Sequence, residues 1–209
     1  MSSVWTLEAR AQEVQQHGFV FEKWVRDTFF GGYTPSGYTQ KWDIPKEANK
    51  DYGGVPVNPK AAKYGAPVDL GDALRQFQVD EPFMLIVGYW VQEGDEKRIV
   101  NVIAPTVTPK LWRSLWEPIT LEDLKRLDAV IKDRRLDYRA ARAQAQKIKS
   151  AAPFTRAVMT VNPKIDSKGQ RRLQCSLSFK NVFKHLAPQA DPKPQQRPQL
   201  FGVPVPGPL

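Results

Sequence analysis

The nine residues Phe83-Met84-Leu85-Ile86-Val87-Gly88-Tyr89-Trp90-Val91 restrict the fold more than any other feature of the sequence. They are apolar without alternation, which suits a strand buried on both faces, and such a strand needs a layer above the sheet and another below. Asp80-Glu81-Pro82 separates the run from what precedes it, residues 92–97 form a charged turn, and Arg98 to Ala104 returns as a second strand. The run is strand-sized, whereas a membrane helix needs about 20 apolar residues. Glu8 and Glu13 come early and no basic segment leads into an apolar one, so no export signal is predicted and a soluble, cytoplasmic protein is expected.

Around that strand the chain reads as alternating helices and strands. From Thr6 to about Phe30 the residues Phe21, Trp24, Val25 and Phe29 recur at helical spacing, and Gly31-Gly32 stops the helix. Tyr38 to Ile44 and Val55 to Val57 are predicted short strands, with Asn49, Asp51, Gly53 and Gly54 in the hairpin loop between them. Asp69 is placed to cap a helix to about Val79, whose apolar face is Leu70, Ala73, Leu74 and Phe77. Thr120 starts the longest predicted helix, in which Leu121, Leu124, Leu127, Ile131 and Tyr138 keep helical spacing toward Ser150. Thr155 to Val161 and Arg171 to Phe179 follow as strands, and the Pro-rich stretch from Pro188 predicts an extended, mobile tail rather than a packed one. The expected class is α/β: a mixed central sheet flanked by helices over residues 1–104, a helical and β region over 105–187 packed on it, and a tail over 188–209. Val-Asn-Pro-Lys occurs twice, at 57–60 and 161–164, with no longer repeat around it.

Charge narrows the partner. Lys and Arg number 31 against 22 Asp and Glu, a formal net charge of +9. Such an excess favours approach to a polyanion through counterion release, so a nucleic acid is expected. A single cysteine, Cys175, excludes an internal disulfide, and with His17 and His185 the only histidines a zinc cage lacks ligands. A reducing compartment fits this usage.

Three segments carry the chemistry: His17-Gly18-Phe19-Val20-Phe21-Glu22 through Arg26, then Tyr38-Thr39-Gln40-Lys41-Trp42-Asp43, then Val55-Pro56-Val57-Asn58-Pro59-Lys60. Over residues 17–104 they resemble the PD-(D/E)XK nuclease superfamily, to which many type II restriction endonucleases belong. There a Gly-x-x-Phe-Glu helix precedes a strand bearing Asp, and a second strand bears an acidic residue, a spacer and Lys. The resemblance implies a magnesium-dependent endonuclease in which Asp43 holds the metal, Lys60 orients or deprotonates the water, and Glu22 holds a second ion or a metal-bound water. Phosphodiester hydrolysis needs a hard cation near the phosphate oxygens and a positioned water, so a carboxylate and an ammonium must converge on one phosphate. One position departs from the pattern: Asn58 stands where an acidic residue is usual, offering a carbonyl oxygen but no charge. Metal affinity is then expected to fall unless Glu22 or Asp69 compensates. Competing readings stay open here: Asp43 as a turn residue before Ile44-Pro45, Lys63 in the role of Lys60, Glu22 paired with Arg26 four residues on, and Asp69 and Asp72 as helix-start residues.

The DNA-facing candidates lie elsewhere. Arg134, Arg135, Arg139 and Arg142 give a basic helix face suited to phosphates, or simply a solvated one. Lys168, Gln170, Arg171, Arg172 and Gln174 supply the types that read guanine and adenine edges. The expected substrate is double-stranded DNA cut at a specific sequence. The rival readings are a non-catalytic DNA- or RNA-binding protein with a degenerate core, and a junction resolvase. The resemblance also implies a homodimer, because symmetric cutting of two antiparallel strands follows from two-fold symmetry.

Overall fold

A computed structural model of the chain describes residues 20–34 and 41–207. The first predicted helix before residue 20, and Tyr38 to Gln40 of the first predicted strand, lie outside the described residues. The fold is mixed α/β with a mixed sheet. Among the described residues no helix is long and apolar enough to cross a membrane.

The chain forms two units. One contains the chain up to Ala66, Pro82–Thr106 and Phe183–Leu209, and the other contains Pro67–Glu81 and Val107–Val182. In the first unit, helix α1 covers residues 20–29 and ends as the glycine pair predicts: Gly31 and Gly32 adopt φ of 60° and 70°, and Gly32 N donates to Arg26 O. Strands β1 (Val57–Lys63), β3 (Phe83–Glu93) and β4 (Glu96–Ile103) lie side by side in the order β1-β3-β4, and the two-residue β5 (Thr106–Val107) follows as the fourth strand of the sheet. β1 runs parallel to β3, and β4 returns antiparallel as a hairpin. The apolar run is thus the central strand, with Phe83 through Tyr89 buried.

Helix α1 supplies Phe21, Val25 and Phe29 to a core shared with Ile44, Val57, Met84, Ile86 and Ile99. Burying each large side chain contributes roughly 1.5–3 kcal/mol. The closest approach is at Gly88. A Cβ built there would lie 2.6, 2.7 and 2.9 Å from Cζ, Cε2 and Cε1 of Phe21, so the missing side chain sets how deeply α1 seats.

The tail does not behave as its prolines predict. Asn101 Nδ2 donates to the carbonyls of Asp191 and Lys193, Tyr64 Oη donates to Pro192 O, and Gln195 N donates to Val100 O. A short hairpin follows, β8 (Gln199–Leu200) with β9 (Val203–Pro204), and Leu200 and Val205 join the core of the first unit. Prolines remove backbone donors but leave carbonyls and apolar side chains, and these carry the packing.

In the second unit β2 (Val68–Asp72), β6 (Thr160–Ile165) and β7 (Arg171–Leu177) form an antiparallel sheet in the order β2-β7-β6. Helices α2 (Ala73–Phe77), α4 (Leu121–Lys132) and α5 (Tyr138–Lys149) pack on it; α3 (Pro109–Ser114) precedes them. Trp112 Nε1 donates to Gln76 O at 2.7 Å and anchors α3 to α2. The helix predicted from Asp69 is instead a strand followed by a short helix: Val68 and Leu70 are buried at period two, and the cap is Asp72, which accepts from Arg75 N. The helix predicted from Thr120 to Ser150 is two helices. Thr120 caps the first in a capping box with Asp123, as its sequence suggests, and Asp137 caps the second by accepting from Arg139 N and Ala140 N. The strand predicted over Thr155 to Val161 begins only at Thr160, because residues 151–156 are held in turns.

Candidate active site and nucleic-acid interface

The predicted strand ending at Ile44 survives, within the described residues, as one antiparallel bridge. Ile44 N donates to Val57 O at 3.0 Å and Val57 N to Ile44 O at 2.8 Å. Between them the chain bulges out through a loop knitted by Asn49, which is fully buried. Its Nδ2 donates to the carbonyls of Tyr52 (3.1 Å) and Val55 (2.7 Å), and its Oδ1 accepts from Tyr52 N (3.1 Å). Tyr52 is also stacked on Phe201 of the β8–β9 turn, with ring centroids 4.1 Å apart. The loop is therefore closed from within and from the tail.

That closure sets Asp43 opposite β1. Asp43 N donates to Asn58 Oδ1 at 3.2 Å, and Lys60 Nζ donates to Asp43 Oδ2 at 2.5 Å. Asn58 and Lys60, two residues apart, share one face of β1, whereas Lys63 falls on the other and is exposed. The period of the strand thus separates the two lysines. Pro59 sits between Asn58 and Lys60 in a strand that has β3 on one side and, among the described residues, only the Ile44 bridge on the other, where a missing N–H costs little.

Glu22 of α1 is the second carboxyl group. Burial pushes its pKa up to about 7, with Lys60 opposing the rise, Asp43 adding to it and Arg26 opposing it least of all. The charges acting most on Glu22 are therefore those of the Asp43–Lys60 pair, ahead of its helix neighbour.

These donors suit a hard cation. Glu22 and Asp43 offer carboxylate oxygens, Asp43 Oδ1 is left when Oδ2 takes Lys60, and Asn58 Oδ1 keeps one lone pair beyond the Asp43 N–H. Among the described residues no three His, Cys, Asp or Glu side chains gather, so the set is two carboxyl groups and an amide oxygen. Asp69, the alternative compensating ligand, instead accepts from Gly71 N within β2 of the second unit.

The DNA-facing candidates all fall in the second unit. Residues 107–182 contain 17 Lys and Arg against 7 Asp and Glu, while the remainder of the chain has 14 against 15, so the entire positive excess sits in this stretch. Its members differ in how they are held. Arg135 is paired with Asp133 through Nε and Nη2 at 2.9 and 2.8 Å, Arg134 Nη2 donates to Gly169 O, and Arg139 lies against Tyr138. Arg142 Nη2 donates to Ile165 O at 2.5 Å. Arg171 is held by backbone: its guanidinium donates to the carbonyls of Ile131, Asp133 and Leu136, closing the end of α4. Lys168 N and Gln170 N both donate to Asp166 Oδ1 and shape the β6–β7 turn, and Arg172 and Gln174 stand on the outward face of β7. Gly88, Asn49 and Phe201 escaped the sequence reading. Only Asn49 left a signal, its place in a loop rich in turn residues. Compared with protein-family models, curated proteins and solved structures, the chain matches none.

Proposed function

We propose that the protein is a magnesium-dependent endonuclease acting on double-stranded DNA at a specific sequence, with its chemistry at Asp43, Lys60, Glu22 and Asn58. The observation that carries this reading is the contact of Lys60 Nζ with Asp43 Oδ2, made by a hairpin that also turns Asn58 toward Asp43. Two hydrolytic roles fall to nearby groups of this chain. Lys60 holds a water by its remaining N–H donors, and Glu22, whose carboxyl is pushed up to about 7 by burial, accepts the proton that the water loses as its oxygen bonds phosphorus; the bond from phosphorus to the leaving sugar oxygen breaks, and that oxygen takes a proton from solvent. Asp43 and Asn58 would hold magnesium, with Glu22 on a metal-bound water, and the ion would stabilise charge on the phosphate oxygens.

The basic stretch 107–182 supports binding to a polyanion, with Arg134, Arg135, Arg139 and Arg142 on phosphates and Lys168, Gln170, Arg172 and Gln174 toward the bases. A cytoplasmic homodimer is the assembly that fits symmetric cutting. Asn58 in place of an acid favours one rival, a DNA-binding protein without cleavage. Incubation of the purified protein with phage DNA and magnesium separates the readings. Discrete bands are expected; a smear or cutting confined to branched DNA points to a structure-selective nuclease, and intact DNA that is nevertheless bound points to the non-catalytic rival.

A further inference from the structure

The β6–β7 ribbon of the second unit has two unlike faces. Val161, Ile165, Leu173, Cys175 and Leu177 are buried on the helix side. The other side carries Thr160, Asn162 and Lys164 on β6 and Arg172, Gln174 and Ser176 on β7, polar at every position. The register pairs them directly: Lys164 with Arg172, Asn162 with Gln174, and Thr160 with Ser176. Asn162 Nδ2 donates to Ser176 Oγ at 2.8 Å, which fixes the amide.

Like charges directly opposite on a sheet repel, as Lys164 and Arg172 do here, and a third cation stands beside them. Lys149, at the end of α5, lies close enough to Lys164 for that charge to lower its pKa, after burial. Three carboxylates near the ribbon accept from backbone donors: Asp166 from Lys168 N and Gln170 N, Asp69 from Gly71 N, and Asp72 from Arg75 N. Among the described residues no carboxylate pairs with Lys164 or Arg172. Asp69 and Asp72 stand on β2 across from Ser176 and Gln174, so the cationic end of the ribbon is the one at the β6–β7 turn.

We propose that this ribbon enters the major groove of double-stranded DNA, with Arg172 and Gln174 reading base edges, Asn162 assisting Gln174, and Lys164 at the adjoining phosphates. The inference rests on the DNA-binding part of the reading above and is independent of cleavage. Its chemistry selects the partner. Beyond Gln174, where β2 ends, β6 and β7 continue as two strands toward their turn, and a two-stranded ribbon fits a B-form major groove about 12 Å wide but not a minor groove of about 6 Å. The deep, narrow major groove of duplex RNA excludes it. A single strand would call for aromatic side chains to stack its bases, and the outward face has none. Arginine matches guanine O6 and N7, and Gln and Asn match adenine N6 and N7.

The test is a gel-shift selection with the full chain and a random-sequence DNA duplex pool, calcium replacing magnesium, followed by binding to the selected duplex. Methylating guanine N7 beforehand is expected to weaken binding of the wild-type protein at least tenfold, while a minor-groove ligand does not compete. Arg172→Ala should relax selection at one G·C position and Gln174→Ala at one A·T position, each losing roughly 5- to 150-fold discrimination with an unchanged thermal melt. Methylation without effect, equal affinity for single strands or duplex RNA, or variants that select as the wild type does would each overturn the proposal. Duplex binding of this kind without magnesium-dependent cutting sinks the nuclease reading alone. Cutting whose sequence preference ignores both variants sinks the ribbon alone.

Discussion

Replacing Gly88 with Ala is the sharpest probe of how α1 is seated, because the clash can be worked out atom by atom. The added Cβ would lie 2.6–2.9 Å from three atoms at the tip of the Phe21 ring, inside any ordinary carbon–carbon contact. Rotation about χ2 gives no relief: Cζ lies on that rotation axis and stays where it is. Strand β3 is held on both sides, by β1 and β4, and Phe21 is fully buried, so neither side can yield locally. Restoring a normal contact of about 3.5–4.0 Å needs α1 to retreat by roughly 1 Å. Overpacking of this kind costs about 1–3 kcal/mol. The retreat carries Glu22, one residue along, away from Asp43 and Lys60, and a misplacement of about 1 Å near a reacting centre costs on the order of 100-fold in rate. Urea unfolding and plasmid cleavage read the two effects, and Phe21→Leu in the Gly88→Ala background, which removes the ring tip, is expected to recover much of both. A Gly88→Ala protein as stable as the wild type, or a double variant no better than the single one, would refute the reasoning.

Glu22→Gln tests the buried carboxyl. A pKa raised to about 7 means that the folded state holds the proton while the unfolded chain releases it near the ordinary value, so the stabilisation is full below about 4.5 and lost as pH rises through 7. The loss is on the order of 3 kcal/mol, and Glu22→Gln should flatten this part of the stability profile measured by urea unfolding; an unchanged profile would remove Glu22 from its buried setting. Asn58→Asp adds a charged oxygen where Oδ1 already takes the Asp43 N–H, so the magnesium titration of cleavage should move to lower concentration while the metal-free melting temperature falls; an unmoved titration would place Asn58 outside the metal site. Arg171→Ala leaves three carbonyls at the end of α4 without their donor and should cost about 1–3 kcal/mol in unfolding free energy without altering DNA sequence preference, whereas a specificity change at unaltered stability would return Arg171 to the bases.

What the sequence disclosed depended on whether one local pattern decided the outcome. The unbroken apolar run from Phe83 fixed the central strand, the charged turn fixed its hairpin, and Phe21, Val25 and Phe29 with the glycine stop fixed α1. The meeting of Asp43 with Lys60 was legible because a turn-rich loop joins two short strands and period two puts Asn58 and Lys60 on one face. Where two periods competed, the reading failed. Leu70 and Phe77 fit a helix, yet Val68 and Leu70 alternate as a strand, and pairing with β7 settled it. Helical spacing continued from Ile131 to Tyr138 across a break made by Asp133 and Asp137, whose side chains cap and turn the backbone rather than show in any apolar pattern. The tail was misread because packing of Leu200, Val205 and Phe201 depends on partners far away in sequence. The same holds for Gly88, whose role exists only opposite Phe21.

The central claim, that Asp43 and Lys60 form a hydrolytic pair, is tested most directly by comparing wild type, Asp43→Ala and Lys60→Ala on plasmid DNA in magnesium, with binding measured in calcium. The wild type should cut, each variant should lose cleavage by several orders of magnitude, and both should bind duplex DNA nearly as the wild type does, because the change falls on the chemical step and not on the phosphate contacts proposed for residues 107–182. Cleavage at the wild-type rate by either variant would contradict the claim.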